Sequence, residues 1–494
     1  MGLKVKKRKK EKQPLITLFF TVNIVLLKKR KAGCNSLKTN KKTLKTKMIV
    51  LICLIVVLPV VWILMQRLEG EKPSIVLEPP SPFIGKTHTL SVNVSDVKSG
   101  VRELWVGLVK DGKEVLLFEK DLPSEGFIGG GKTREASFKI KIEPKKMGMT
   151  DGKAILRIVA RDYSWRKWLH GNTAYLEKDV MIDTKPPEVD VLSRIHNVSQ
   201  GGTGLVIYKL SEPCLESGVY VGGNFFPGYS GYYKDKNFFV AFFALDYTQG
   251  AGTELLVKAT DLSGNSSRAG FPYYIKKRVF KKVSLEISDR FLNWKMPEFD
   301  VDVPADSENP LVDKFLKINR EFRNRNNLKL KDIGRKTDNK LYWDGAFLRL
   351  PNSARKANFA DHRRYRYKGH VIDKQVHLGL DLASIAHSPV PASNRGKVAF
   401  AGHLGIYGKT VMIDHGFGLF STYSHLSAVD VKPGQMVSKG GIIGRTGSTG
   451  MAGGDHLHFG ILVHNTFVNP VEWWDSAWIK NNISNKLETV MSLY

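Results

Sequence analysis

Two histidines one residue apart, His456 and His458 in GGDHLHFGILV, stand inside an otherwise apolar run. In an extended strand residues i and i+2 share a face, so both imidazoles project to one side while Leu457 and Phe459 go to the other. Such a pair is either a polar strand face or a grip on something held between the rings. A second pair, His377 and Asp381 in HLGLDLA, is spaced so that a straight strand would separate the two Cα atoms by ~13 Å. That is too far to share an ion whose bonds are ~2 Å long. A bend is needed, and Gly379 between them is the residue type that permits one. His425 closes a strand-like run, LFSTYSHL. Taken singly, each feature also reads as ordinary structure: a polar strand face, a chance spacing and a satisfied structural histidine. The three cysteines, Cys34, Cys53 and Cys214, are too scattered to build a thiolate site. Any metal would have to use histidine and carboxylate.

The elements that must position these residues are mainly β. From residue 345 to 475 short strands such as KVAFAG, KTVMIDH and HLHFGILV alternate with dense glycine, as tight connections require. His370, His387 and His403 read as surface residues, His415 as structural and Asp414 as part of a turn. Residues 281–344 form a linker in which Leu311, Phe315, Ile318 and Phe322 fall on one helical face, with Ser307 as N-cap and Pro310 in the first turn. This helix either packs on its neighbour or covers a groove there, so that segment 305–330 would regulate access. Residues 72–183 and 186–280 read as two β-sandwiches separated by DTKPPEV, whose paired prolines forbid regular pairing. Asp111-Gly112 between two apolar runs predicts a hairpin. IVARDYS recurs as VKATDLS about 100 residues later, the period of an immunoglobulin-type sandwich. VSDVKSGV and ATDLSGN resemble bacterial Ig-like domains. Both modules are expected to act as spacers or docking surfaces.

The chain carries a formal charge of +29 over 494 residues, and its location decides its meaning. Residues 1–47 hold 16 of the Lys and Arg and a single acid, Glu11, so about half of the excess is in this stretch. It is followed by an uncharged apolar run from Met48 to Met65, the length of a membrane-spanning helix. The simpler reading is a basic cytoplasmic tail (1–47) before a transmembrane signal anchor (48–66), with the remainder outside the cytoplasmic membrane by the positive-inside rule. That reading argues against nucleic acid as a partner. Residues 476–494 are a C-terminal tail.

Considered jointly, HLGLDLA, YGKTVMIDHGFGLFSTYSHL, VKPGQMVSKGGIIGRTGSTG and GGDHLHF closely resemble the LytM/lysostaphin-type zinc metallopeptidases, family M23, over about 345–474. The resemblance implies an antiparallel β-sheet catalytic domain with His377, Asp381 and His458 as Zn2+ ligands and His425 and His456 as the catalytic pair. It implies hydrolysis of peptide cross-links in peptidoglycan peptide stems. Gly454-Asp455 departs from the Pro or Thr expected before His456. Tyr365 and Tyr367 are candidates for a tyrosine that assists the oxyanion. The alternative is a non-catalytic LytM-like regulator that activates another wall hydrolase; loss of any of the five residues would favour it, and none is lost.

Overall fold

The computed structural model describes residues 41–78 and 81–493, so most of the basic tail lies outside the described residues. The described residues open with one helix, Lys41–Arg67, with Pro59 inside it. Its Leu44–Arg67 portion is, among the described residues, the one helix long and apolar enough to cross a membrane. At 1.5 Å per residue it reaches ~36 Å, against ~30 Å of hydrocarbon. Its end is tied into the first β unit: the Trp165 N–H donates to the Arg67 carbonyl at 2.6 Å, and the Ser164 hydroxyl donates to the same oxygen.

That first unit has two sheets over one core. Three strands, Ser74–Glu78, His88–Ser95 and Glu135–Ile142, face five that include Val101–Lys110, Gly152–Asp162 and Thr173–Ile182. Alternating residues Val92, Val94, Leu104, Val106 and Ile158 are fully buried between them. The expected hairpin is present: Lys110 pairs with Lys113 across Asp111 (φ 50°) and Gly112 (φ 75°), the left-handed pair that a two-residue turn demands. The second unit is built from two four-stranded sheets and a parallel pair, His196–Ser199 with Tyr273–Lys276. The internal repeat has a physical basis in both units. Asp162 accepts the N–H groups of Ser164 and Asn172, and Asp261 accepts those of Ser263 and Asn265.

The second unit, expected to act as a spacer or a docking surface, packs into the residues that follow. Phe242 of its Phe238–Ala244 strand lies against Trp343 and Trp473, Tyr229 stacks on Phe417 at 5.1 Å, and all share one core. Residues 476–493 are helical, burying Ile479, Ile483, Leu487 and Val490 in the same core. The Lys486 ammonium donates to the Leu205 carbonyl at 3.2 Å, tying the last helix to the second unit.

The C-terminal unit is an antiparallel sheet ordered Ala354–Ala357, Leu380–Ala383, Leu457–Val463, Leu419–Leu426, Lys409–Asp414, Gly396–His403, Met436–Val437, with Thr466–Val468 beside Leu457–Val463. A separate three-stranded sheet joins Lys282–Glu286 in parallel to His362–Tyr367, which pairs with His370–Val376. The 281–344 segment therefore contributes a strand as well as helix. Its helix begins at Pro310, not near Ser307: Pro310 opens Pro310–Lys317, and the Ser307 hydroxyl donates to the Asp313 carboxylate at 2.5 Å instead of capping. The next turn, Ile318–Phe322, is π-helical before Arg323–Ile333 resumes the α form. Phe315 and Ile318 are fully buried, and Leu311 and Phe322 half-buried, so the apolar face packs as its spacing requires.

Candidate metal centre and catalytic cavity

Register explains how residues far apart in the chain meet. Leu380–Ala383 pairs antiparallel with Leu457–Val463 so that Asp381 stands directly opposite His458. Directly opposed side chains share a face within about 5 Å at Cβ. His377 arrives from the other direction, at the point where the chain leaves the three-stranded sheet at Val376 and enters the main sheet at Leu380. That change of sheet supplies the bend. Gly379 is needed for closeness: a Cβ there would lie 2.6 Å from His458 Nε2 and 2.8 Å from the Phe459 carbonyl oxygen.

Three donor atoms converge. His377 Nε2 lies 2.9 Å from His458 Nδ1 and 3.0 Å from Asp381 Oδ1, and His458 Nδ1 lies 3.0 Å from that same oxygen. His377 and His458 are buried and Asp381 is nearly so. Two imidazole nitrogens and a carboxylate oxygen at such spacing need a proton or a cation among them, and the N, N, O set is of the kind zinc takes. Outer partners fix each group. His377 Nδ1 faces the Asn358 carbonyl at 2.9 Å, which assigns the N–H there and leaves Nε2 as the lone pair. Arg363 donates to Asp381 Oδ2 at 2.8 Å, so Oδ1 alone points to the histidines.

His425 and His456 stand beside this set, their ring centroids 4.9 Å apart. His456 Nε2 is 3.6 Å from Asp381 Oδ1, and its Nδ1 lies 2.8 Å from the Gly454 carbonyl. His425 Nδ1 lies 2.8 Å from the Thr449 carbonyl, so its Nε2 is the free nitrogen. His425 sits in the left-handed region at φ 64°, uncommon for a residue with a Cβ and typical of strain held at working sites. Electrostatics separate these groups. Burial alone would raise the Asp381 carboxyl, yet the neighbouring histidines, His377 foremost, hold it well below the usual range. Burial pushes His425 well down and His458 down to about 4. Burial also works against protonating His456, but the Asp381 carboxylate outweighs it and the imidazole is raised.

These side chains open onto a cavity of about 470 Å³. Phe315, Asn319, Arg323 and Asn327 of the helical segment form part of its lining. The segment that either packs on its neighbour or covers a groove there thus forms one wall of this cavity. Asn319 is fully buried, donating to Asp373 at 2.7 Å, and the Asn326 side chain accepts the Ile406 N–H at 2.9 Å. Of the two tyrosines considered, Tyr365 lines the cavity against Phe315, while the Tyr367 hydroxyl is taken up by Asp289. The Gly454-Asp455 departure leaves the ligands intact: Gly454 supplies the His456 acceptor, and Asp455 accepts the His387 N–H at 3.1 Å.

Sequence reasoning missed three groups. Tyr407 lies 5.5 Å from the His458 ring and donates to Asn327; its flanking glycines, Gly405 and Gly408, both at positive φ, were a legible sign of a tight turn. Arg363 and Asn358 carried no signal. His415 is structural as expected, fully buried between the Arg395 carbonyl and the Ser421 hydroxyl.

Residues 375–470 match the family model for peptidase family M23 and form an M23 peptidase domain. The chain is 42% identical over 97 residues to the DD-carboxypeptidase/endopeptidase Mpg of Neisseria meningitidis serogroup B, covering 20% of this chain and 22% of that protein. It is 37% identical over 132 residues to the peptidoglycan DD-endopeptidase ShyA of Vibrio cholerae, covering 26% and 30%. The chain thus spans less than a third of the length of these curated relatives. The catalytic domain of lysostaphin from Staphylococcus simulans is 28% identical, covering 26% of this chain and 98% of that one, with a TM-score of 0.23.

Proposed function

We propose, from the M23 domain at residues 375–470, that this chain is a membrane-anchored zinc endopeptidase that hydrolyses peptide cross-links of bacterial peptidoglycan. The observation that carries the reading is the convergence of His377 Nε2, Asp381 Oδ1 and His458 Nδ1 beside two further histidines. The name of the Vibrio relative, a peptidoglycan DD-endopeptidase, supports the substrate class. Zinc held by these three residues would lower the pKa of a bound water towards 7 and polarise a peptide carbonyl.

The chain's own residues do the rest. His456 and His425 each fix Nδ1 on a backbone carbonyl and turn Nε2 towards the cavity, where an imidazole can take a proton from the attacking water or return one to the leaving amine. Arg363 and the Asn358 carbonyl hold Asp381 and His377 in orientation. The Lys41–Arg67 helix is read as the anchor, with the lysines before it on the cytoplasmic side and the catalytic unit outside. The test compares zinc content and cross-link hydrolysis in two variants. Asp381→Ala is expected to lose both, and His456→Ala is expected to keep zinc and lose hydrolysis. Full hydrolysis by Asp381→Ala would defeat the assignment.

A further inference from the structure

A second cavity, of about 400 Å³, lies on the three-stranded sheet beside the catalytic one. Lys282, His362, Arg364 and Lys374 line it with Tyr247, and no acidic residue does. Register puts these four side chains on one face in two neighbouring rows. Lys282 is opposite His362, and Arg364 is directly opposite Lys374. Like charges in a directly opposed pair destabilise a sheet. Other arginines of the same strand are neutralised, Arg363 by Asp381 and Arg366 by Glu286. Among the described residues no carboxylate lies within ion-pair distance of Lys282, Arg364 or Lys374, and all three are exposed. The strand pairing thus tolerates an uncompensated cationic block. Arg363 and Val376 line both cavities, so the block is continuous with the catalytic opening.

We infer that Lys282, Arg364 and Lys374 form an anion-binding exosite that takes the free carboxylates of peptide stems flanking the cross-link held in the catalytic cavity. The inference rests on the peptidoglycan reading above. Continuity selects the occupant: a polymer substrate bound at the histidines extends past Arg363 on to this shelf, and a wall peptide carries carboxylates there. The shelf adds grip on the polymer and leaves the chemistry at His425 and His456 untouched.

The test uses the full chain in detergent, with His456→Ala to stop turnover, and measures cosedimentation with purified sacculi. Arg364→Gln with Lys374→Gln should weaken binding about fivefold at low salt, the scale of two exposed charge contacts, and flatten its salt dependence. Lys374→Arg should bind as the parent does. Amidating the sacculus carboxylates should weaken the parent's binding more than that of the double variant, which keeps only Lys282 of the three cations. With His456 intact, the double variant should cleave a small soluble cross-linked muropeptide at the unmodified kcat, which also reports correct folding. Equal sacculus binding by parent and double variant would overturn the exosite. So would a loss confined to phosphatidylglycerol vesicles, which would make the shelf a lipid contact. Failure of the unmodified, zinc-loaded chain to cut sacculi or muropeptides would instead sink the peptidase reading, and the exosite with it.

Discussion

Replacing Gly379 with alanine tests whether close approach, and not flexibility alone, selects glycine between His377 and Asp381. Gly379 is not at positive φ, so alanine meets no backbone strain there and any effect is steric. The added Cβ would lie 2.6 Å from His458 Nε2, 2.7 Å from its Cε1 and 2.8 Å from the Phe459 carbonyl oxygen, all closer than carbon atoms tolerate. The His458 ring is buried and cannot swing clear, and Phe459 is paired on both sides, with Leu380 and Tyr423. Overpacking of this kind costs about 1–3 kcal/mol. Much of it falls on the His458 ring whose Nδ1 completes the donor set, so zinc affinity should drop ~5- to 150-fold. Competition with a chromophoric chelator reads the affinity directly. Gly453→Ala is the control, because it lines the same cavity and its Cβ would meet nothing within 4 Å. Zinc affinity in Gly379→Ala equal to that of Gly453→Ala would refute the reasoning.

Burial holds the Glu472 carboxyl up at about 7 against an ordinary 4.5, so between those values the folded chain keeps a proton the unfolded chain has lost. Stability should therefore decline by up to ~3 kcal/mol as pH rises through that window, and denaturant titrations should show Glu472→Gln without this component. Phe242→Ala removes the ring wedged between Trp343 and Trp473 and should cost about 3–5 kcal/mol, seen as faster proteolysis between the second β unit and the C-terminal unit. Asn326→Ala leaves the Ile406 N–H without its acceptor and should lower stability by about 1–3 kcal/mol, loosening the helical wall in hydrogen exchange while zinc stays bound.

The candidate site was legible because its residue types are rare in combination and sit in patterned surroundings. His456 and His458 in a strand, His377 and Asp381 about a glycine, and His425 at a strand end could each be named, and the structure brings all five to one cavity. Arg363 and Asn358 were not legible. One acts through a guanidinium reaching across a bend and the other through a backbone carbonyl, and neither leaves a spacing in the chain. Local turns were well marked, as at Asp111-Gly112, since a positive φ demands particular residues. Long-range packing was not. Nothing in the periodicity of Phe238–Ala244 says that Phe242 meets Trp473, or that helices after residue 475 return to the second β unit. The helix was expected to be capped by Ser307 and instead starts at Pro310, because a serine upstream of a helix can bond a side chain, here Asp313, as readily as a backbone N–H.

The measurement that bears most directly on the central claim is mass spectrometry of material released from purified sacculi by the full chain, zinc-loaded and chelator-treated in parallel. The account predicts zinc-dependent release of muropeptides newly cut at a peptide cross-link, with the products identifying the bond. A folded, zinc-loaded chain that releases nothing, or that releases the same products after chelation, would contradict it.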